Sequence, residues 1–424
     1  GGQTNNTDLN IETGIIGNLY GGGNQAKTGK TKVYLGNATI TDDLYGGGNQ
    51  AIVETTTDVD IISSTAGDVF GGGNAGRVDG TTDVYISDSN ITNSVYAGGN
   101  GATAIVNGNT ILNVDGTTTI QKHVFGGGNA AATGSDGASV SSIVNIAGGK
   151  ILGNVYGGAN TSVINGYAKV NIGINTVTTS LKKGNIDIKG TVFGGGEANA
   201  GGSQIFDWNF ISVTKGIDVL IDGSDHDIFN IGTSIFGSGN ASSSSGTSNV
   251  TIKNYGTLED YKYNISIQRA NNVVIDNSVI ELEGIADRTN ELFSDVPFTI
   301  ARVDNLKVKN GTILYLKTNT NLLKAFTSLV DVNGNEEIAT VTIQDGEVVK
   351  NVDNRLYVWE SKNINILTDI AGTSYGKVTG MTFFGMFNHD RDGKIVTGMY
   401  SKTYQNGNSI SSNILRYFSD GAYV

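Results

Sequence analysis

Three stretches of the sequence hold residue types that could do chemistry. The first is Gln204-Ile205-Phe206-Asp207-Trp208-Asn209-Phe210, which carries one of the two tryptophans of the chain. Trp208 and Phe206 beside Asp207 and Asn209 have the makeup of a sugar platform: ring stacking from the indole, hydrogen bonds to hydroxyls from the carboxylate and amide. The same aromatics could instead fold the loop back onto the body. The second is Asp222-Gly223-Ser224-Asp225-His226-Asp227, taken together with Glu197. Paired carboxylates serve acid/base chemistry on glycosides or hold Ca²⁺. Glu197, Asp225 and Asp227 are therefore the catalytic candidates, against the alternative of a solvated acidic turn. The third is Asn388-His389-Asp390-Arg391-Asp392-Gly393, the first half of an EF-hand loop, with oxygens from Asn388, Asp390 and Asp392 and a glycine in sixth place. The twelfth place is Met399, so the closing bidentate ligand is missing and a β-hairpin turn competes with the metal reading.

Other chemistries are excluded. There are no cysteines, which removes disulfides, thiolate metal sites and a cysteine nucleophile. His123, His226 and His389 are scattered, and no zinc-protease, nucleophile-elbow or phosphate-loop motif occurs. The 28 Lys and Arg against 40 Asp and Glu give a net charge of −12 with no basic run, so nucleic acid is not an expected partner. No apolar run is long enough to span a membrane, so no membrane insertion is expected. No cofactor is expected either; Ca²⁺ is the one ion the acidic stretches would take.

What must position these residues is a repeat. An aromatic-Gly-Gly-Gly-Asn motif begins at Tyr20, Tyr45, Phe70, Tyr96, Phe125, Tyr156, Phe193 and Phe236. Its fifth residue is Asn24, Asn49, Asn74, Asn100, Asn129, Asn160, Glu197 and Asn240. Small residues replace one glycine at Ala97, Ala159 and Ser238. The steps between aromatics are 25, 25, 26, 29, 31, 37 and 43 residues. Between motifs runs a second alternating register, as in Thr57-Asp58-Val59-Asp60-Ile61, and a third strand precedes each motif, as in Ile40-Thr41-Asp42-Asp43-Leu44. Three short strands per repeat, all running the same way, predict an all-β right-handed parallel β-helix whose coils stack at about 4.8 Å. Alternation sends Val33, Val59, Val84, Ile40, Ile91 and Ile120 inward, with Leu44, Val69, Val95, Val124 and Val155. The aromatics then point outward over a floor of glycine, unless the glycine run inverts them, and in either case form a stacked row. The seven asparagines form a side-chain amide ladder at a turn. The Thr column at Thr31, Thr57, Thr82 and Thr110 shares parity with the core, which argues against an ice-binding face.

The extra length falls at two corners, chiefly in residues 101–109, 130–141, 173–184, 198–216 and 222–232. Loops stacked at one corner make a lateral patch of the kind that carries binding. Residues 1–252 read as regular coils. Residues 253–375 read as irregular coils of the same solenoid, with strands at 272–276, 306–309, 313–316, 341–344 and 356–359. Residues 376–424 read as a β cap or junction built around the apolar stretch 381–387, since a solenoid end needs cover. Gly1-Gly2-Gln3 resembles the tail of another motif, so the chain is expected to begin inside a coil and to adjoin further modules.

Stacked coils with an asparagine ladder resemble the pectate-lyase-like superfamily of parallel β-helices. The repeated Val-Tyr-Gly-Gly-Gly-Asn resembles β-helical regions of large repetitive surface adhesins of Gram-positive bacteria, over residues 1–252 most closely. The resemblance implies an extracellular, cell-surface adhesin or stalk segment, non-enzymatic, binding glycan or host surface protein. The alternative on the same fold is a polysaccharide lyase or glycosidase, including phage tail-spike types. That would need acidic residues converging with a base such as Lys182, Lys183 or Lys215.

Overall fold

The computed structural model of the protein describes residues 3–283 apart from 136–138, 174–180, 199–209, 225, 233, 258 and 261. Beyond 283 it describes the strand segments 300–309, 313–317, 341–343, 347–349, 364–366, 381–383, 388–389 and 395–396. Contacts divide the chain into two units: Gly1–Gly232 with Phe236–Ser248, and Thr233–Ile235 with Asn249–Val424.

The first unit is a parallel β-solenoid of about eight turns, with no helix among the described residues. We count coils by their motif, from coil 1 at Tyr20 to coil 8 at Phe236. Equivalent strands pair in strict register. Thr57–Ile62 lies between Thr28–Gly36 and Thr82–Ser87, aligning Val33, Val59 and Val84. The third strands form an eight-stranded sheet of their own, from Gly14–Ile16 to Phe229–Ile231. They lie slightly earlier than the sequence suggests: Ala38–Ile40 ends where the reading began it, and a corner separates it from Leu44–Tyr45.

The inward residues are sealed. Val33, Val59, Val84, Ile91, Ile120, Leu44, Val69, Val95, Val124 and Val155 have no exposed surface, and Ile40 almost none. No coil could bury these faces alone, so each depends on the coils on either side.

The glycine run follows from backbone accounting, since every buried N–H and C=O needs a partner. The first and second glycine N–H groups donate to the next coil, as Gly46 does to Phe70 and Gly47 to Gly72. The third glycine carbonyl accepts from the next Asn, as Gly48 does from Asn74. The carbonyl after the aromatic is left over, and the buried hydroxyl column supplies it. Thr31, Thr57, Thr82, Thr110 and Ser142 donate to Gly46, Gly71, Ala97, Gly126 and Gly157 at 2.5–2.6 Å. These hydroxyls are therefore internal fittings of the motif. The second glycine leaves no room for a side chain: a Cβ on Gly72 would stand 2.9 Å from Gly99 Cα.

In the second unit, taken by itself, residues 249–253 pair in parallel with residues 272–276, where Asn272 Nδ2 donates to Asn249 Oδ1 at 2.8 Å. Lys262–Asp276 also pairs in parallel with Ile300–Lys309, and Val279–Glu283 with Ile313–Lys317. Val341–Ile343 departs from the coil strand expected there, because it pairs antiparallel with Glu347–Val349. Met381–Phe383 likewise pairs antiparallel with Ile364–Ile366. The strand expected at 356–359 lies outside the described residues.

Candidate functional site

The densest chemistry of the first unit lies on one outer edge, around the aromatic row. Eight rings from Tyr20 to Phe236 stack with centroids 4.6–4.9 Å apart, the spacing of the strands that carry them. Parity places the rings outside the apolar core. The glycine that follows each one faces inward, where a Cβ on Gly21, Gly71 or Gly157 would meet Val33, Val84 or Val170 at 2.8–2.9 Å. Yet the six rings from Tyr45 to Phe193 are buried in a cluster of their own, and only the end rings, Tyr20 and Phe236, are partly open. Stacking covers their faces, and two polar columns flank their edges.

One column is the asparagine ladder. Asn49, Asn74, Asn100, Asn129 and Asn160 each donate Nδ2–H to the Oδ1 of the preceding Asn at 2.8–2.9 Å. All the amides point the same way, so Asn160 presents Oδ1 to coil 7. There Glu197 breaks the polarity, because a carboxylate has no N–H to give. Its Oε2 accepts from Asn240 Nδ2 at 2.6 Å and from the Tyr156 hydroxyl at 2.9 Å.

The other column was not read from the sequence. Two residues before the aromatic, in five of the motifs, stands a side-chain acceptor that takes the backbone N–H of its counterpart one coil on. Asn18 accepts from Asp43, Asp68 from Ser94, Ser94 from His123, His123 Nδ1 from Asn154, and Asn154 from Thr191, at 2.8–3.3 Å. The signal was present: this position reads Asn, Asp, Asp, Ser, His, Asn, Thr, Ser in successive motifs. The column also serves the rings. Tyr45 donates to Asp43 at 3.0 Å, and Asn154 donates to the Tyr156 hydroxyl at 2.9 Å. Burial first, then the neighbouring carboxylate, pushes both phenols above their ordinary range.

His123 is fixed by this role. Its ring stands edge-on to Phe125 and Tyr156, both at 6.1 Å. Burial holds its pKa down, with Glu197 pulling the other way.

A second polar surface lies on the outer face of the second strands. Asp58, Asp60 and Asp83 crowd together with Lys32, which stands 3.9 Å from Asp58 and 3.8 Å from Asp60. Burial, then Asp58 and Asp60, push Asp83 up to about 6, while the Asn113 amide bond at 3.2 Å opposes this. From Asn113 a second amide ladder runs through Asn145 to Asn171. Among the described residues no group of three or more His, Asp or Glu side chains could hold a metal ion.

Of the catalytic candidates, the two that are described, Glu197 and Asp227, occupy different corners. Glu197 sits in the ladder, while Asp227 is exposed beyond the far end of Gly216–Asp222. That strand of 7 residues spans about 20 Å at about 3.3 Å per residue. Asp225 and the platform residues Phe206, Asp207, Trp208 and Asn209 lie outside the described residues, as do Asp390 and Asp392. Asn388 is in a short strand, Asn388–His389, that pairs antiparallel with Ile395–Val396, so a β-hairpin brackets that loop. Lys182 approaches neither Glu197 nor Asp227: its ammonium meets Asp88 at 2.8 Å. No protein-family model, curated protein or solved structure matches the chain.

Proposed function

We propose that this chain is a non-enzymatic stalk or adhesin segment of a bacterial cell surface, which presents its corner loops to a glycan or a host surface protein. The observation that carries the reading is how the polar side chains of the motif are used. Ladder amides, column acceptors and buried hydroxyls all bond from coil to coil, and the rings stack along the same axis. A site for catalysis needs polar groups free to meet a substrate. Glu197 already takes Tyr156 and Asn240 on one oxygen, and Asp227 lies beyond the far end of the Gly216–Asp222 strand. Bonding from coil to coil suits a spacer, and the insertions at the corners suit recognition.

The test is a glycan array and a panel of host surface proteins, run beside a cleavage screen on acidic polysaccharides. Binding without cleavage, lost on Trp208→Ala, is the expected result. Product release abolished by Glu197→Gln would overturn it in favour of a polysaccharide-degrading enzyme.

A further inference from the structure

In a solenoid each coil touches only its neighbours, so unravelling can proceed one coil at a time. One segment of the first unit departs from that rule. Residues 181–184 belong to coil 6, between the strands Gly166–Ile172 and Ile186–Ile188. They do not stay there. Lys182 reaches three coils back, about 14 Å at the strand spacing, where Nζ meets Asp88 Oδ2 at 2.8 Å. Its backbone N–H donates to Asp115 Oδ2 in coil 4 at 2.6 Å, and its carbonyl accepts from Gly116 at 3.4 Å. Gly184 donates to Ala147 in coil 5 at 3.0 Å, and its carbonyl meets His226 Nδ1 of coil 7 at 2.8 Å. This short segment thus touches coils 3, 4, 5 and 7 from coil 6, through contacts up to 94 residues apart in sequence.

The seat for this segment is built into distant parts of the chain. Gly116, Gly148 and Gly184 lie backbone to backbone: a Cβ on Gly148 would stand 2.9 Å from Gly184 Cα, and one on Gly184 would strike the Gly116 carbonyl. Asp115, fully buried, takes the Tyr85 hydroxyl at 2.9 Å on the oxygen that receives Lys182 N–H. Gly116 adopts φ +63, a left-handed corner that glycine accepts without strain. Asp88 is held by the Thr117 N–H at 2.9 Å, so the acceptor for Lys182 is oriented before the lysine arrives.

We propose that residues 181–184 form an axial clasp that binds coils 3 to 7 into one unit, which opens as a whole and not coil by coil. The segment thereby sets the step in which the solenoid unravels under heat, denaturant or load. This holds whether or not the corner loops bind a glycan.

The experiment is native-state hydrogen exchange, at residue resolution and rising denaturant, on the full chain. Gly184→Val wedges the clasp off its seat, and Lys182→Met removes only the ammonium. Gly153→Val is the control, because the nearest atoms to a Cβ there belong to Lys122 and His123 of the adjoining coil. In the parent and in Gly153→Val, strand amides of coils 3 to 7 are expected to merge into one exchange isotherm. In Gly184→Val, amides of coils 6 and 7 should exchange at least tenfold faster than those of coils 3 and 4. Lys182→Met should show the same separation to a smaller degree. Separate isotherms in the parent overturn the clasp. So does a common isotherm in Gly184→Val, or separation in Gly153→Val equal to that in Gly184→Val. Should Gly184→Val fail to fold, Lys182→Met decides alone, and a common isotherm there overturns the proposal.

Discussion

His123 is the one imidazole of the acceptor column, so replacing it separates a charge effect from a hydrogen bond. Nδ1 accepts the Asn154 N–H at 3.0 Å, and a nitrogen that accepts carries no proton. Burial holds the imidazolium below its ordinary range. A base whose folded pKa lies below its unfolded value of about 6.5 binds fewer protons when folded. Its stabilising contribution is therefore present above about pH 6.5 and is lost as pH falls below that value. One proton limits the loss to about 1.4 kcal/mol per pH unit. The partly exposed ring should fall short of that limit, because solvent screens it. His123→Asn tests the charge: one coil on, the amide oxygen of Asn154 already does the same job for Thr191 at 2.9 Å. This variant should match the parent at about pH 8 within about 0.5 kcal/mol and lose the acid slope. His123→Leu tests the bond. It leaves the Asn154 N–H without its acceptor, which costs about 1–3 kcal/mol at every pH. Urea unfolding of the three proteins between about pH 8 and pH 5 gives both numbers. An acid slope unchanged in His123→Asn, or a Leu variant as stable as the Asn variant at the alkaline end, would refute the reasoning.

Gly72→Ala should cost about 1–3 kcal/mol by overpacking, since a Cβ there would stand 2.9 Å from Gly99 Cα. Ser238→Ala, at the equivalent place in the last motif, should be near neutral, because no ninth motif follows to meet it; comparing the two thermal midpoints checks this. Asp83→Asn should raise stability at pH 7 by on the order of 1 kcal/mol after allowing for solvent screening. The folded carboxyl sits at about 6, above its unfolded value, so its contribution is full below about pH 4 and is lost as pH rises through 6. The stability difference between variant and parent should therefore vanish near pH 4. Asp88 is held down to about 2, first by Lys182 and then by the Thr117 N–H, so its contribution is lost only as pH falls through that value. In Lys182→Met the Asp88 carboxyl carbon should titrate at higher pH by NMR, and an unmoved midpoint would deny the pair. Phe70→Tyr should be tolerated in calorimetry. Asp68 and Asn129 occupy the places around it that Asp43 and Asn100 occupy around Tyr45.

Where a contact joins equivalent positions of successive coils, its period appears in the sequence. Val33, Val59 and Val84 were legible as one inward column for this reason, and Asn24 to Asn160 as one ladder. The stacked row of rings was legible too, but neither its facing nor its burial was, because burial depends on Asp43 and Asn100 closing over Tyr45 from two sides. The buried threonines were placed correctly. Their purpose was hidden, because the acceptor is a main-chain carbonyl that no residue type announces. The clasp was beyond reach for a stronger reason. Lys182 meets Asp88 through an insertion, so no register connects them. The same holds for the loop with Trp208, whose residues follow the ladder break at Glu197 without any period to locate them.

The alternation of ring types shows how the outer edge keeps its polar groups paired. From coil 2 to coil 7 the rings run Tyr45, Phe70, Tyr96, Phe125, Tyr156, Phe193. Each of these tyrosine hydroxyls meets the ladder two coils on: Tyr45 takes Asn100 Nδ2 at 3.4 Å, and Tyr96 and Tyr156 face Asn160 and Asn240. An amide nitrogen has two hydrogens. In Asn100 one holds the preceding amide at 2.9 Å and the other reaches back to Tyr45. Asn129 stands two coils on from Phe70, and Glu197 two coils on from Phe125. A phenyl ring has no hydroxyl for an amide there to reach. Ladder and rings therefore form one network, in which Asn100, Asn160 and Asn240 each tie three successive coils. Glu197 falls between two of them, where an amide would have only its ladder bond to lose. Its carboxylate instead takes the Tyr156 hydroxyl at 2.9 Å and Asn240 Nδ2 at 2.6 Å. The network is thus carried across the break in the ladder, directly before the 198–216 insertion.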